Sequence, residues 1–131
     1  MKSLAQNSIK IMLGLILLVI LFHLLIMIEV IPYEIAWGGR LQTDEQMYVF
    51  ETISILINFF LLFILLMKGR YIKSWLKEKT LNIILGIFLI LFIINTVGNL
   101  FAQTNFEKLF ALLTLMFSFL IWIVLRPKAS S

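Results

Sequence analysis

The chain has 131 residues, of which 62% are hydrophobic, with a mean hydropathy of +1.06 and a formal net charge of +4, where soluble domains run to roughly 45–50% apolar residues. That composition excludes a water-soluble single-core domain, and the absence of cysteine excludes disulfides, thiolate metal ligands and a thiol nucleophile. A membrane-spanning helix takes about 20 mostly apolar residues, so the length fits four spans in a single domain with short connections: an all-α integral membrane protein folded as a four-transmembrane-helix bundle.

The first predicted span covers 11–31, interrupted by Gly14, His23 and Glu29. Lys2 and Lys10 precede it in the manner of a signal peptide, but the apolar run exceeds the roughly 7–15 residues of a signal core and no small-residue cleavage site follows. It reads as an uncleaved first helix, ended or kinked by Pro32, which lacks an N–H and crowds the preceding turn. The connection that follows contains Glu34, Trp37-Gly38-Gly39-Arg40 and then Thr43 and Gln46, spaced as a capping box. Span 2 therefore covers 44–67.

Between 68 and 80 the chain is basic: Lys68, Arg70, Lys73, Lys77 and Lys79 stand against Glu78 alone. Tyr71, Ile72, Trp75 and Leu76 share one helical face there, which suits either a short interfacial helix on anionic lipid head groups or an ordinary turn. Span 3 covers 81–102 and carries Asn82, Asn95 and Asn99. Thr104 and Glu107 repeat the capping-box spacing and open span 4, which covers 107–125 and is stopped by Arg126, Pro127 and Lys128.

Nine of the eleven basic residues lie at the two ends or in the middle connection, leaving Arg40 and Lys108 for the other two. Bases mark cytoplasmic segments, so both termini and the 68–80 segment are expected in the cytoplasm, with the protein in a bacterial plasma membrane. This distribution is a topology signal and argues against a nucleic-acid partner; the expected partners are the bilayer, anionic head groups at the five basic residues of the middle connection and, left open, a second copy of the chain.

Orientation converts position into depth. His23 lies about 18 Å of helical rise into span 1, beyond the midplane, and Glu51 and Asn58 lie in the outward part of span 2. Met47, Glu51, Ser54 and Asn58 form one helical stripe; Asn95, Asn99 and Gln103 form a second; Glu107, Ala111, Thr114 and Ser118 form a third. Each is small or polar among Leu, Ile and Phe, so the stripes are expected to face one another.

Polar groups in hydrocarbon are costly and mark sites or helix contacts. His23 reads either as a proton-handling or ligand-contacting group or as a neutral histidine bonded to a neighbouring helix. For Glu51, Arg40 is the obvious partner, since its fork suits a carboxylate; left open, that fork would hold an anionic group, with Trp37 laid over the bundle mouth. Asn95 and Asn99 most simply act as interhelical hydrogen bonds, Glu107 as a capping residue, and Gly98 with Ala102 as a close-packing pair. No compact metal-ligand spacing, P-loop, HExxH or GxSxG occurs, and no cofactor is implied.

The sequence thus points to a membrane protein that binds or transports a small amphipathic or lipid-like ligand in an outward-facing pocket lined by His23, Trp37, Arg40, Glu51, Asn58, Asn95 and Asn99. The alternative is a structural or accessory protein whose polar residues only fix helix packing and whose basic connection docks lipid or a partner. Acid–base chemistry on a lipid is a third option, and requires His23 and Glu51 within about 8 Å of each other beside a cavity.

Overall fold

A computed structural model describes residues 2–34, 42–101 and 105–126. It is all-helical there, with α1 at Lys2–Met27, α2 at Asp44–Lys68, α3 at Glu78–Leu100 and α4 at Asn105–Leu125. All four are long and apolar enough to cross a membrane, which makes this an integral membrane protein by the physical criteria of length and hydropathy. Contacts run α1–α2, α3–α4 and α1–α4, with α2 and α3 touching least. Cross-helix contacts run in opposite order along neighbouring helices, which are therefore antiparallel: Gln6 donates to the carbonyl of Gly69 and His23 meets Glu51, while Phe92 meets Phe117 and Thr96 meets Thr114.

The helices start earlier than the apolar runs do. α1 begins nine residues before the predicted span because its polar first turns also pack: Ser8 returns its hydroxyl to the Leu4 carbonyl, and Ile9 and Met12 are buried. It also ends four residues sooner than predicted, before Pro32 is reached. Val30 N–H bonds the Leu25 carbonyl and Glu29 N–H the Ile26 carbonyl, with Glu29 at φ 65°. That is a Schellman motif with glutamate in the left-handed position glycine usually takes. α2 ends the same way, through Tyr71 N–H to Leu66, Arg70 N–H to Met67, and Arg70 at φ 62°.

At the start of α2 the predicted cap forms, with Gln46 N–H donating to Thr43 Oγ1 over 3.2 Å. The return bond lands one residue early, on the N–H of Gln42 rather than Thr43. The second proposed box involves Thr104, which lies outside the described residues.

No interfacial helix forms between 69 and 77. The Schellman end at Arg70 turns the chain away from the helix axis, and Ser74 closes a local loop, its hydroxyl bonded to the carbonyl and the N–H of Leu76. Such side-chain bonds compete with helix. The expected common face is therefore split: Ile72 and Leu76 pack inward, while Tyr71 and Trp75 stay exposed. Lys68 is drawn into the fold, bonded to Glu78 and to Asn82, whereas Arg70, Lys73, Lys77 and Lys79 are exposed.

Packing divides the bundle into two halves. The main core lies toward the basic connection and takes residues from every helix, including Met12, Ile16, Leu61, Leu65, Leu81, Leu85, Phe117 and Ile121. A second, small cluster of Ile26 and Met47, with Phe22, Ile31 and Tyr33 against it, sits at the opposite end. Partial burial there, and then the Glu34 and Asp44 carboxylates, hold the Tyr33 hydroxyl above its usual pKa. Between the two clusters the interior is not filled.

The helix ends make a test of opposite signs. A left-handed backbone costs a non-glycine residue about 1–2 kcal/mol, partly offset by the chain entropy of glycine, so Glu29→Gly is expected to raise stability in detergent by about 0.5 kcal/mol. Gly69→Ala should lower it by about 1 kcal/mol, because an added Cβ meets the Tyr71 ring at 2.8 Å and the Ile9 side chain at 3.1 Å. Thermal unfolding of the two variants checks both signs.

Candidate functional site

The centre of the site is a contact between α1 and α2. His23 Nδ1 lies 2.6 Å from Glu51 Oε2, with the glutamate side chain fully buried and the histidine 15% exposed. Glu51 faces inward because it falls on the stripe of Met47, Ser54 and Asn58, of which Met47 is also fully buried. His23 is aligned with it by the antiparallel pairing of α1 and α2, and Phe22 beside it meets Phe110 of α4 edge-on at 5.3 Å. Removing water from a carboxylate is costly unless hydrogen bonds replace it, and the imidazole supplies one.

Beside this contact lies a cavity of about 370 Å³ to which all four helices contribute. Val19, Phe22 and His23 come from α1, and Ser54, Ile57 and Asn58 from α2. α3 adds Phe88, Leu91, Phe92, Asn95 and Asn99, and α4 adds Phe110, Leu113, Thr114 and Phe117. Its floor is aromatic: Phe92 stacks on Phe117 with centroids 4.9 Å apart and lies 6.2 Å from Phe88. Above the floor the lining turns to amides, hydroxyls and the imidazole.

Hydrogen bonds separate the polar groups that hold helices from those that face the cavity. The α3–α4 bond comes from Thr96, which meets the Thr114 hydroxyl at 2.7 Å while each also bonds its own helix. Asn95 and Asn99, read as the interhelical bonds, form none among the described residues; Asn95 is exposed, Asn99 is half-buried, and both line the cavity. The reason is angular. Thr96 lies on the face of α3 turned to α4, and Asn95 and Asn99 lie beside that face. Asn58 donates to the Ser54 carbonyl, which leaves its side-chain oxygen without a partner among the described residues. His23 Nε2 likewise has no bond among the described residues.

Of the residues singled out from sequence, the cavity gathers His23, Asn58, Asn95 and Asn99, and Glu51 stands behind His23. Trp37 and Arg40 lie outside the described residues, so the lid and the Arg40–Glu51 pair are not addressed; the partner seen for Glu51 is His23. Glu107, 1% exposed, is buried together with Ala111 and Ser118, as the inward facing expected of the third stripe requires; what sequence reasoning missed is the aromatic floor of the cavity. Phe88, Phe92, Phe110 and Phe117 all sit at helical spacings that a search for one-sided phenylalanines would have found.

Comparisons of this chain with protein-family profiles, with curated proteins and with solved structures find no match.

Two stability tests follow from the polar contacts. His23→Leu removes the imidazole bonded to the buried Glu51 carboxylate, and breaking a buried pair this way is expected to cost about 3 kcal/mol; Glu51→Gln, which keeps a hydrogen-bonding group in place, should cost markedly less. In a double-mutant cycle, Thr96→Val and Thr114→Val should couple by about 0.6 kcal/mol, as interhelical hydrogen bonds in membrane proteins do. Both are read from unfolding in mixed micelles.

Proposed function

We propose that this protein binds, or carries across a membrane, a small amphipathic or lipid-like ligand in the cavity between its four helices, with both termini and the basic connection on the cytoplasmic side. The observation that carries the reading is the cavity itself. An interior of about 370 Å³ falls within the roughly 300–1,000 Å³ usual for small-ligand sites. It combines an aromatic floor with the asparagine amides and imidazole above, which is the lining an amphipath requires. His23, Asn58, Asn95 and Asn99 contact the ligand, and Glu51 orients His23. Trp37 and Arg40, expected from the sequence to take part, lie outside the described residues.

The test is saturable binding of a pyrene-labelled fatty alcohol to the purified protein in nanodiscs. Ser54→Phe and Asn99→Phe place a ring in the cavity without removing a side-chain hydrogen bond among the described residues, and each is expected to weaken binding at least about tenfold, or 1.4 kcal/mol. Unchanged binding in both folded variants would overturn the reading. For the orientation, a cysteine introduced as Ser74→Cys should react with an impermeant maleimide in inside-out vesicles and not in intact cells; labelling of intact cells would reverse the assignment.

Two other readings have observations of their own. The Lys68–Glu78–Asn82 and Thr96–Thr114 contacts favour an accessory protein whose polar residues fix packing and whose exposed Arg70, Lys73, Lys77 and Lys79 dock anionic lipid or a partner. That reading predicts no saturable binding, with Glu51→Gln and Asn99→Leu lowering stability alone. The 2.6 Å contact of His23 with Glu51 beside a cavity favours acid–base chemistry on a bound lipid, for which a buried carboxylate orienting an imidazole is a suitable arrangement. It predicts turnover that is lost in His23→Gln while binding persists.

A further inference from the structure

Three sides of the cavity are held shut by contacts between neighbouring helices. His23 and Glu51 join α1 to α2, Thr96 and Thr114 with Phe92 and Phe117 join α3 to α4, and Phe22 and Phe110 join α4 to α1. The fourth side differs. α2 and α3 are tied at the basic end by Lys68 to Glu78 and Asn82, and at mid-depth by Phe60 and Phe88 with centroids 6.1 Å apart. Beyond that level no hydrogen bond or ring contact joins them among the described residues. Two residues that line the cavity are exposed on this side, Ile57 of α2 at 47% and Leu91 of α3 at 45%.

Asn95 sits at this gap, exposed, on a helix apolar enough to cross a membrane. An amide facing hydrocarbon is costly, and a polar group passing through the gap would relieve that cost. His23 stands across the cavity from the gap, on α1, so hydrogen-bonding groups are found at the mouth and at the back wall alike. A hydrocarbon tail inserted first would lie against these groups and leave them unbonded; a polar head would bond them. At about 370 Å³, near the lower end of the roughly 300–1,000 Å³ of small-ligand sites, the cavity holds a polar head and the first carbons of a chain but not a whole acyl tail. The described lining contains no lysine or arginine, its imidazole is already engaged with Glu51, and a phosphate or carboxylate brought in would face amides and phenyl rings.

We infer that the cavity takes, sideways through the gap between α2 and α3, the uncharged hydroxyl- or amide-bearing head of an amphiphile drawn from the bilayer, whose tail stays outside in the hydrocarbon. This rests on the binding reading above and adds the route, the end that enters and the charge of the head.

The absence of cysteine from the chain allows a clean test. The Ile57→Cys, Leu91→Cys double variant is placed in phosphatidylcholine liposomes and bridged with a reducible bis-methanethiosulfonate linker. It is then exposed to equal amounts of monoolein, oleate and lysophosphatidylglycerol, and the retained lipid is read by native mass spectrometry. The unbridged variant is expected to retain monoolein at least about fivefold over the two anions, the effect of roughly one ordinary hydrogen bond. Bridging should cut monoolein retention at least about tenfold, and reduction should restore it. Undiminished retention in the bridged protein, with loss in Ser54→Phe, overturns the lateral route and leaves the site standing. Undiminished retention in both overturns the site as well. Preferential retention of oleate or lysophosphatidylglycerol overturns the uncharged head.

Discussion

A carboxylate that is fully buried on a helix otherwise apolar enough to cross a membrane has to be met by another polar group, and most of this architecture is arranged around how Glu51 is met. The imidazole of His23 reaches it only if α1 and α2 pair antiparallel at one register, since a slip of one residue on either helix turns the side chain by about 100° away from its partner. That register also brings Met47 onto Ile26 and Gln6 onto Gly69, so one contact near one end of the helix pair agrees with packing along its whole length. A hydrophobic pair would stabilise the helices as well, but would accept more than one register; a buried polar pair gives specificity in this sense.

The same contact explains why the bundle is unevenly filled. Toward the basic connection, where no buried ionisable group intervenes, Leu, Ile and Phe from all four helices close into a continuous core. Around His23 and Glu51 the inward positions are instead Ser54, Asn58, Asn99 and Thr114, side chains shorter than the Leu and Phe of that core, and a cavity remains. Thr96 and Thr114 then fasten α3 to α4 across it.

Much of this was legible beforehand, for identifiable reasons. Hydropathy and length locate four helices because the membrane imposes both. Faces were legible for α2 and α4, where the stripes through Glu51 and through Ala111 are buried as the 3.6-residue period requires. Helix ends were less so: Glu29 and Arg70 adopt left-handed conformations that no residue-type preference favours, and the proline expected to stop α1 stands beyond a helix already ended. The asparagines show a further limit. Position on a stripe says which way a side chain points, but Asn95 and Thr96 are neighbours in sequence, and only the angle between α3 and α4 decides which of them forms the bond between helices and which faces the cavity. The pairing of His23 with Glu51 joins two residues each singled out separately, yet nothing in either helix alone gives their relative height.

The slight contact between α2 and α3 gives the molecule the form of a half-open book. Each cover is a pair of helices fastened along its length, α1 with α2 and α3 with α4, and the spine is the seam of α1 and α4. The salt bridge and amide around Lys68 clip the fore-edge at one corner. The main core draws on all four helices and holds the covers together toward the basic connection, so the fore-edge can part only beyond the level of Phe60 and Phe88, where no packed core has to be remade. Cavity volume and gap width are then set together by a single distance, that between the free ends of α2 and α3, with the aromatic floor left out of it.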